Sequence, residues 1–328
     1  MLGCLLMGCV PQYPNQVVVY CALDRAFSQS QLESFTQETG IVVQPKFDTE
    51  STKTVGLANQ ILEQADRGVC DVFWNNEILH TLRLKRAGLL VPFSVETADR
   101  FAAGDRCPSG QWYGLAARAR ILIVNTDLLP DPADYPTSIR DLVDERWRGR
   151  GCLAKPLFGT TATHFAVLYQ TWGADEFQAF VRGLQDNQVG VLSGNRQVAA
   201  DVAAGKYAFG WTDTDDYHVE KLDGSPVAMV YPDQSPDGLG CLRLPNTIAI
   251  IRGGRNLPQA QALVQFVLAG PVEAALAQGA SAQFPLDRTV AVKSALEPET
   301  PIRWMDVDWD LTVEAWEASG QILQAIFY

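Results

Sequence analysis

Three carboxylates, Asp213, Asp215 and Asp216, fall within four residues in the stretch Trp211-Thr-Asp-Thr-Asp-Asp-Tyr217, directly after the strand-like Tyr207-Ala-Phe-Gly210. Like charges at the end of a buried strand repel one another, so they must stay wet or meet a positive partner. The cluster therefore reads either as a solvated acidic turn or as one wall of a binding site. A second group is Gly159-Thr-Thr-Ala-Thr-His164, which precedes a helix through Phe165, Leu168 and Tyr169. Unpaired N–H groups at that helix start, with the hydroxyls of Thr160 and Thr161, would seat an oxyanion. A simple Thr N-cap is the plainer reading. Ser193-Gly-Asn195-Arg196 opens another helix, and Arg196 either clamps the same anion in bidentate fashion or makes an outward salt bridge. Trp74, Trp211 and Tyr217 read either as core aromatics or as a lining for a carbon skeleton.

These groups need a scaffold that brings distant segments together. Residues 16–20, 41–47 and 70–74 read as strands. Leu32 and Phe35, then Leu57, Ile61, Leu62 and Ala65, give helical spacing over 31–39 and 55–68, with Gly40 stopping the first helix. A helix through Leu79, Leu82 and Leu84 follows. This alternation predicts a parallel sheet flanked by helices. After a turn-rich stretch at 105–110, residues 112–125 form one long strand. A second α/β unit then runs through a strand at 151–154, helices from 161 and 174, a strand at 189–192, a helix from 197 and a strand at 208–212. A long strand at 242–251 and helices over 258–268 and 272–278 complete the pattern, with no internal repeat.

Two α/β units joined by two long strands predict a hinged, two-lobed α/β protein. Ligands of such sheets sit at the carboxyl ends of strands, which brings the loops after Tyr20, Trp74 and Trp211 to a common cleft. The expected division is a tether at 1–14, one lobe of 15–115 with 241–285, and a second of 116–240 with 286–328. Trp304, Trp309 and Trp316 predict a helical tail packed on one lobe.

A chain of 328 residues is long enough for two lobes. Apolar content of 47% with 20% charged residues indicates a soluble globular protein, and a net charge of −12 argues against nucleic acid or an anionic membrane surface as partner. No later stretch approaches the ~20 apolar residues of a membrane span. Leu6-Met-Gly-Cys9 is similar to a bacterial lipoprotein cleavage box, although the apolar run is short and has no basic flank. Cys9 is thus the expected lipid anchor, and the anchor is the expected route to the membrane. None of the seven cysteines forms a C-x-x-C, which argues against structural zinc and thioredoxin-type redox chemistry. If Cys9 is lipidated, five others remain, so at least one thiol is free.

Several motifs in order along residues 16 to 290 resemble one family. They are Tyr20-x-Ala-x-Asp24, Phe35-x-x-Glu-Thr-Gly-Ile-x-Val43, Cys70-Asp-Val-Phe-Trp-Asn-Asn-Glu77, Gly88-Leu-Leu-Val-Pro92 and Trp147-Arg-Gly149. Leu157-Phe-Gly-Thr-Thr-Ala162, Ser193-Gly-Asn-Arg-Gln-Val198, Tyr231-Pro-Asp-Gln234 and Pro245-Asn-Thr-Ile-Ala-Ile250 continue the series. The chain resembles periplasmic solute-binding proteins of ABC transporters, in the branch named for ferric iron and thiamine binders. The resemblance implies a type II periplasmic fold that closes on its ligand, in the periplasm or at the outer face of a bacterial membrane. It also implies a small-molecule solute, a permease and an ATPase as partners, a monomer, no enzymatic activity and no cofactor.

Ferric members of that branch hold the metal with a His, a Glu and two adjacent tyrosines, with an anion opposite. The resemblance puts Asp24 at the His position, Asn76 near the Glu position with Glu77 beside it, and Asp215 and Asp216 at the tyrosine pair, with Tyr217 the nearest tyrosine. It puts the anion at Thr160, Thr161 and Ala162. Carboxylates are hard donors, so Asp24, Asp215, Asp216 and Tyr217 would be the set for iron. His80 and His164 are expected at the surface or behind the ligand contacts, and His218 adjoins the acidic cluster. With the tyrosine pair missing, the expected solute carries a phosphate or phosphonate at one end and an ammonium or hydroxyls at the other. Asp24, Asn76, Glu77, Thr160, Thr161, Ala162, Asn195, Arg196, Asp213, Asp215, Asp216 and Tyr217 are the candidate contacts. Aminoalkylphosphonates and sugar phosphates fit, and ferric iron with a bridging anion is the alternative. No nucleophile elbow, Walker loop or H-E-x-x-H is present, and no second acid stands at a defined distance for glycoside hydrolysis.

Overall fold

The computed structural model describes residues 15–48 and 55–327. The lipoprotein-like box, Cys9 and the expected tether lie outside the described residues.

Strand β1 (Gln16–Cys21) lies between β2 (Val42–Phe47) and β3 (Val72–Asn75) in parallel register, as the alternation predicts. Helix α1 (Arg25–Thr39) begins at Arg25 and not at residue 31, because its buried stripe includes the small polar Ser28 as well as Leu32 and Phe35. It ends at Gly40, whose left-handed φ of 71° lets the N–H reach Thr36 O. Helix α2 (Val55–Glu63) buries Leu57, Ala58 and Ile61, and α3 (Leu79–Arg86) buries five of its eight residues. A short β4 (Leu90–Val91) follows.

Strand β5 (Tyr113–Asn125) is buried at every position and serves both halves of the sheet. The second α/β unit adds β6 (Gly151–Ala154), α4 (Gly159–Asp186), β7 (Gly190–Leu192), α5 (Asn195–Ala203), β8 (Phe209–Asp213), α6 (Thr214–Leu222) and β9 (Val227–Val230). Then come β10 (Arg243–Ile251), α7 (Leu257–Val267), α8 (Gly270–Gln278) and α9 (Trp309–Phe327). The helices expected from 161 and 174 are the two arms of α4, which Gly173 separates with a non-helical φ of 75° and ψ of 176°.

The strand order is β2-β1-β3-β10-β5-β8-β6-β7, with β4 on β10 and β9 on β5. The first half of β5 pairs antiparallel with β10, and its second half pairs with β8 and β9. The mixed sheet with helices on its faces is that of a two-lobed α/β protein of the type II periplasmic kind.

The tail does not keep to one side. Helix α9 packs on both α4 and α3. Leu323 joins the core that contains Phe165 and Leu168 of α4, while Trp316 stands edge-on to His80 of α3 at 4.8 Å. Arg86 of α3 pairs with Glu314 at 2.8 Å. The tail therefore spans both groups of strands instead of covering one. Cys21, Cys70, Cys107, Cys152 and Cys241 are free and buried. Among the described residues no single helix is long and apolar enough to cross a membrane.

Candidate functional site

The acidic cluster is a strand-to-helix junction. Asp213 ends β8, and Asp215 and Asp216 occupy the first turn of α6, where the positive end of the helix dipole favours carboxylates. Ligand oxygens of the three lie within 4.8 Å of one another. Asp213 is 1% exposed and Asp215 3%, so a solvated turn is not what the fold makes of them.

The positive partners come from β5. Arg118 and Arg120 share one face because side chains alternate along a strand. Arg120 Nη1 lies 2.7 Å from Asp213 Oδ1, and Arg118 Nη1 lies 3.3 Å from Asp215 Oδ2 and 3.6 Å from Asp213 Oδ2. Arg118 Nη2 also donates to the Asn76 carbonyl. Burial by itself would push the Asp213 carboxyl up, but Arg120, Arg118 and the Thr160 hydroxyl outweigh it and hold Asp213 below its ordinary value. Burial likewise works against the Arg118 charge, and Asp215, Asp213, Asp24 and Asp216 reverse that and raise its pKa.

The starts of α4 and α5 are tied to this junction. Thr160 Oγ1 donates to Asp213 Oδ2 at 2.6 Å. Asn195 Nδ2 donates to Thr160 Oγ1 at 2.7 Å and to Asp213 Oδ2 at 3.1 Å. Thr161 Oγ1 donates to Asn195 Oδ1 at 3.0 Å. The two hydroxyls thus serve the protein network, and an anion would meet the first-turn N–H groups, which have no intrahelical acceptor.

A cavity of about 30 Å³ is lined by Asp24, Asn76, Thr160, Thr161, Asn195, Asp213, Asp215 and Asp216 from the sequence-derived set, together with Arg118, Lys155, Phe158, Ser193 and Gly194. Four of the sequence-derived candidates are elsewhere. Glu77 is fully buried and accepts from the N–H groups of Leu79 and His80, at 2.5 and 2.9 Å, and from Thr163 Oγ1 at 2.9 Å. It anchors the start of α3 to α4, and burial is what raises its pKa. Ala162 sits one turn into α4, away from the cavity wall. Arg196 points outward and is exposed. Tyr217 packs into the core beside β5 residues, and burial pushes its hydroxyl up.

Of the two places expected for His80 and His164, the surface is ruled out. His80 and His164 are 0% and 1% exposed, and burial drives both well toward the neutral form. His164 stacks edge-on against Trp211 at 4.5 Å, and the Arg120 guanidinium lies 5.0 Å from the centre of the same ring. Trp74 and Trp211 are therefore core, not cleft wall. His218 is half-buried, and burial lowers its pKa.

Sequence reasoning missed Arg118, Arg120, Lys155 and Ser193. A signal for the arginines existed: two guanidiniums two residues apart inside an otherwise apolar strand cannot be buried unpaired, and three nearby carboxylates needed positive partners.

The family model for "Bacterial extracellular solute-binding protein" matches residues 80–311. The Fe(3+)-binding periplasmic protein of Serratia marcescens is 27% identical over 190 residues, 58% of this chain and 54% of that protein, so the match spans about half of that relative's length. Among solved structures, iron-bound HitA from Pseudomonas aeruginosa superposes with a TM-score of 0.85 at 24% identity, covering 95% of this chain and 99% of that one. AfuA from Actinobacillus pleuropneumoniae, solved with exogenous fructose-6-phosphate bound, gives 0.79 at 20% identity, covering 94% and 97%. At these identities the two structural likenesses establish the fold.

Proposed function

Because the chain belongs to the bacterial extracellular solute-binding proteins, we propose that it is the periplasmic receptor of an ABC importer and captures a solute bearing a phosphate or phosphonate group. An aminoalkylphosphonate or a sugar phosphate is the ligand class. The supporting observation is the pairing of two helix starts, at α4 and α5, with Lys155 and Ser193 on one cavity and Asp24, Asp215 and Asp216 around it. First-turn N–H groups and an ammonium suit a phosphoryl group, and carboxylates suit an ammonium or several hydroxyls. Charge balance weighs against a trivalent cation. Asp24, Asp213, Asp215 and Asp216 bring four negative charges, while Arg118, Arg120 and Lys155 supply three positive ones. Little negative excess is left for a trivalent cation.

Ferric iron with a bridging anion is the second reading, supported by the three closely spaced carboxylates and by the printed name of the Serratia relative. Two features weigh against it. Tyr217 lies in the core, and a metal on Asp215 would sit close to the guanidinium already 3.3 Å from that carboxylate. Capture would work by domain closure, with the first α/β unit and β10 forming one lobe and the second unit the other. A cavity of about 30 Å³ holds little more than ordered water, so a hexose phosphate enters only when the lobes part. A permease and an ATPase would receive the solute, Cys9 would carry the lipid anchor, and the receptor would act as a monomer without turnover.

A thermal-shift screen of metal-stripped protein tests this, using inorganic phosphate, aminoethylphosphonate, hexose phosphates and ferric iron with citrate. Stabilisation grows with the logarithm of ligand concentration over Kd. A shift with a phosphonate or phosphate ester alone supports the proposal, and a shift with iron alone transfers it to the second reading.

A further inference from the structure

Arg118 and Arg120, which pair with the acidic cluster, follow an irregularity upstream on their own strand. The register between β5 and β10 shifts between Pro245 and Asn246, leaving Ala116 as the extra residue on β5. Ala116 has φ of 37°, the left-handed region that an L residue adopts at a cost. A bulge of this kind adds twist and re-aims the side chains that follow it. A one-residue change of register would turn Arg118 and Arg120 to the other face of the sheet.

Something must hold that bulge, and one carboxylate is placed to do so. Glu273, in the first turn of α8, is 1% exposed. Its Oε1 accepts the Ala116 N–H and, at 3.0 Å, the Leu286 N–H. Its Oε2 accepts the Asp287 N–H at 2.7 Å. The neighbouring backbone is fastened as well: Ala117 N donates to Phe284 O at 2.7 Å, and Phe284 N returns a bond to Ala117 O at 2.8 Å. Asn246 Nδ2 donates to the carbonyls of Leu115 and Ala116 and to Gln283 Oε1. A buried carboxylate is a costly way to satisfy three backbone donors unless their geometry matters.

We propose that Glu273 is a positioning residue for the binding site: by pinning the Ala116 bulge it aims Arg118 and Arg120 into the acidic cluster. The inference rests on the cleft being the solute site, as argued above, and neither Glu273 nor its partners Ala116, Leu286 and Asp287 line the cavity. Its reach is two residues of strand from Ala116 to Arg118, so the coupling path is covalent and short.

Glu273→Gln keeps size and one acceptor oxygen but turns an amide NH₂ toward backbone donors. Three readouts follow on the full chain. In ligand-free protein, hydrogen exchange of the Ala116 amide is expected to accelerate roughly tenfold or more, the scale of losing a bond to a charged acceptor. The ¹⁵Nε signal of Arg118 is expected to move, and affinity for inorganic phosphate, the probe, to fall by a similar factor. Adding Ala116→Gly is expected to restore part of each, because glycine takes a positive φ without a pin. Loss of thermal stability with Ala116 exchange and the Arg118 signal unchanged would reduce Glu273 to a structural residue and overturn the inference. If Glu273→Gln alone does not fold, the Glu273→Gln, Ala116→Gly double variant carries the same three measurements; a non-folding double variant also overturns it. Wild-type protein that ignores phosphate refutes the phosphate reading of the cleft, while the two ligand-free readouts still decide the pin.

Discussion

Replacing Asp213 with Asn should be among the most damaging conservative changes in this protein. The substitution keeps shape and removes one charge from a site where Asp213 and Arg120 are 1% and 0% exposed and 2.7 Å apart. Breaking a buried pair by removing one partner costs ~3–5 kcal/mol, because the other charge stays buried. The lower end applies here. Arg120 Nη1 retains Asn195 Oδ1 at 3.1 Å and Thr160 Oγ1 at 3.4 Å, and its guanidinium keeps the face of Trp211, an interaction worth up to about 2 kcal/mol when desolvated. Arg118 keeps Asp215. The expected loss is therefore about 3 kcal/mol at neutral pH, read from urea midpoints at constant slope. The pH dependence has a definite sign. Because the folded state holds the Asp213 pKa below the ordinary value of 3.8, its contribution is fully present above that value and is lost as pH falls through the lower folded one. The gap between wild type and Asp213→Asn should stay level from about pH 8 to 5 and narrow below about pH 4. Adding Arg120→Met, which also removes the stranded cation, should recover part of the loss. A gap under about 1 kcal/mol at neutral pH, the size of an exposed pair, would refute the claim that these aspartates are neutralised by the strand arginines.

Three further outcomes follow from the same geometry. Thr161→Pro removes one first-turn N–H of α4, a turn in which proline is tolerated. It should weaken binding of inorganic phosphate about tenfold or more in calorimetric titration and lower the thermal midpoint, because the bond from Thr161 Oγ1 to Asn195 Oδ1 goes too; equal weakening of a neutral sugar would argue against an anion seat there. Cys107 should react first with an aromatic disulfide reagent in native protein: burial opposes its thiolate, but Ser109 and the Gln111 N–H outweigh it and lower its pKa. Cys21 is pushed up to about 12 by burial, and burial also raises Cys70, Cys152 and Cys241, so these four should react only on unfolding, as peptide mapping would reveal. Trp316→Ala should cost about 2 kcal/mol by urea unfolding, below the range of a fully buried tryptophan, since half-buried Trp316 gives up its contacts with the His80 ring at 4.8 Å and the Arg83 guanidinium at 5.6 Å.

Much of the fold was legible because its signals are local. Period-2 and helical apolar spacing fixed the order of strands and helices, and Gly40 stopped α1 as its left-handed φ allows. The acidic junction and the Thr160-Thr161 helix start were legible as well, since both are contiguous in sequence and end regular elements. What local pattern cannot carry is the partner across the sheet. Strand β5 is buried at every position, so it has no polar face to say where Arg118 and Arg120 point, and the Ala116 bulge that sets their direction depends on β10, about 130 residues away. Glu77 and Tyr217 looked available because they adjoin the right motifs, yet backbone donors of α3 claimed the carboxylate and the core took the ring. Sequence left His80 and His164 either at the surface or behind the ligand contacts, because a histidine's type does not reveal that packing can hold it neutral. The sequence by itself determined which groups stand at the ends of strands and helices. Only the tertiary structure decided which charges cancel, because pairing in a low-dielectric interior depends on distances of a few ångströms between chain segments far apart in sequence.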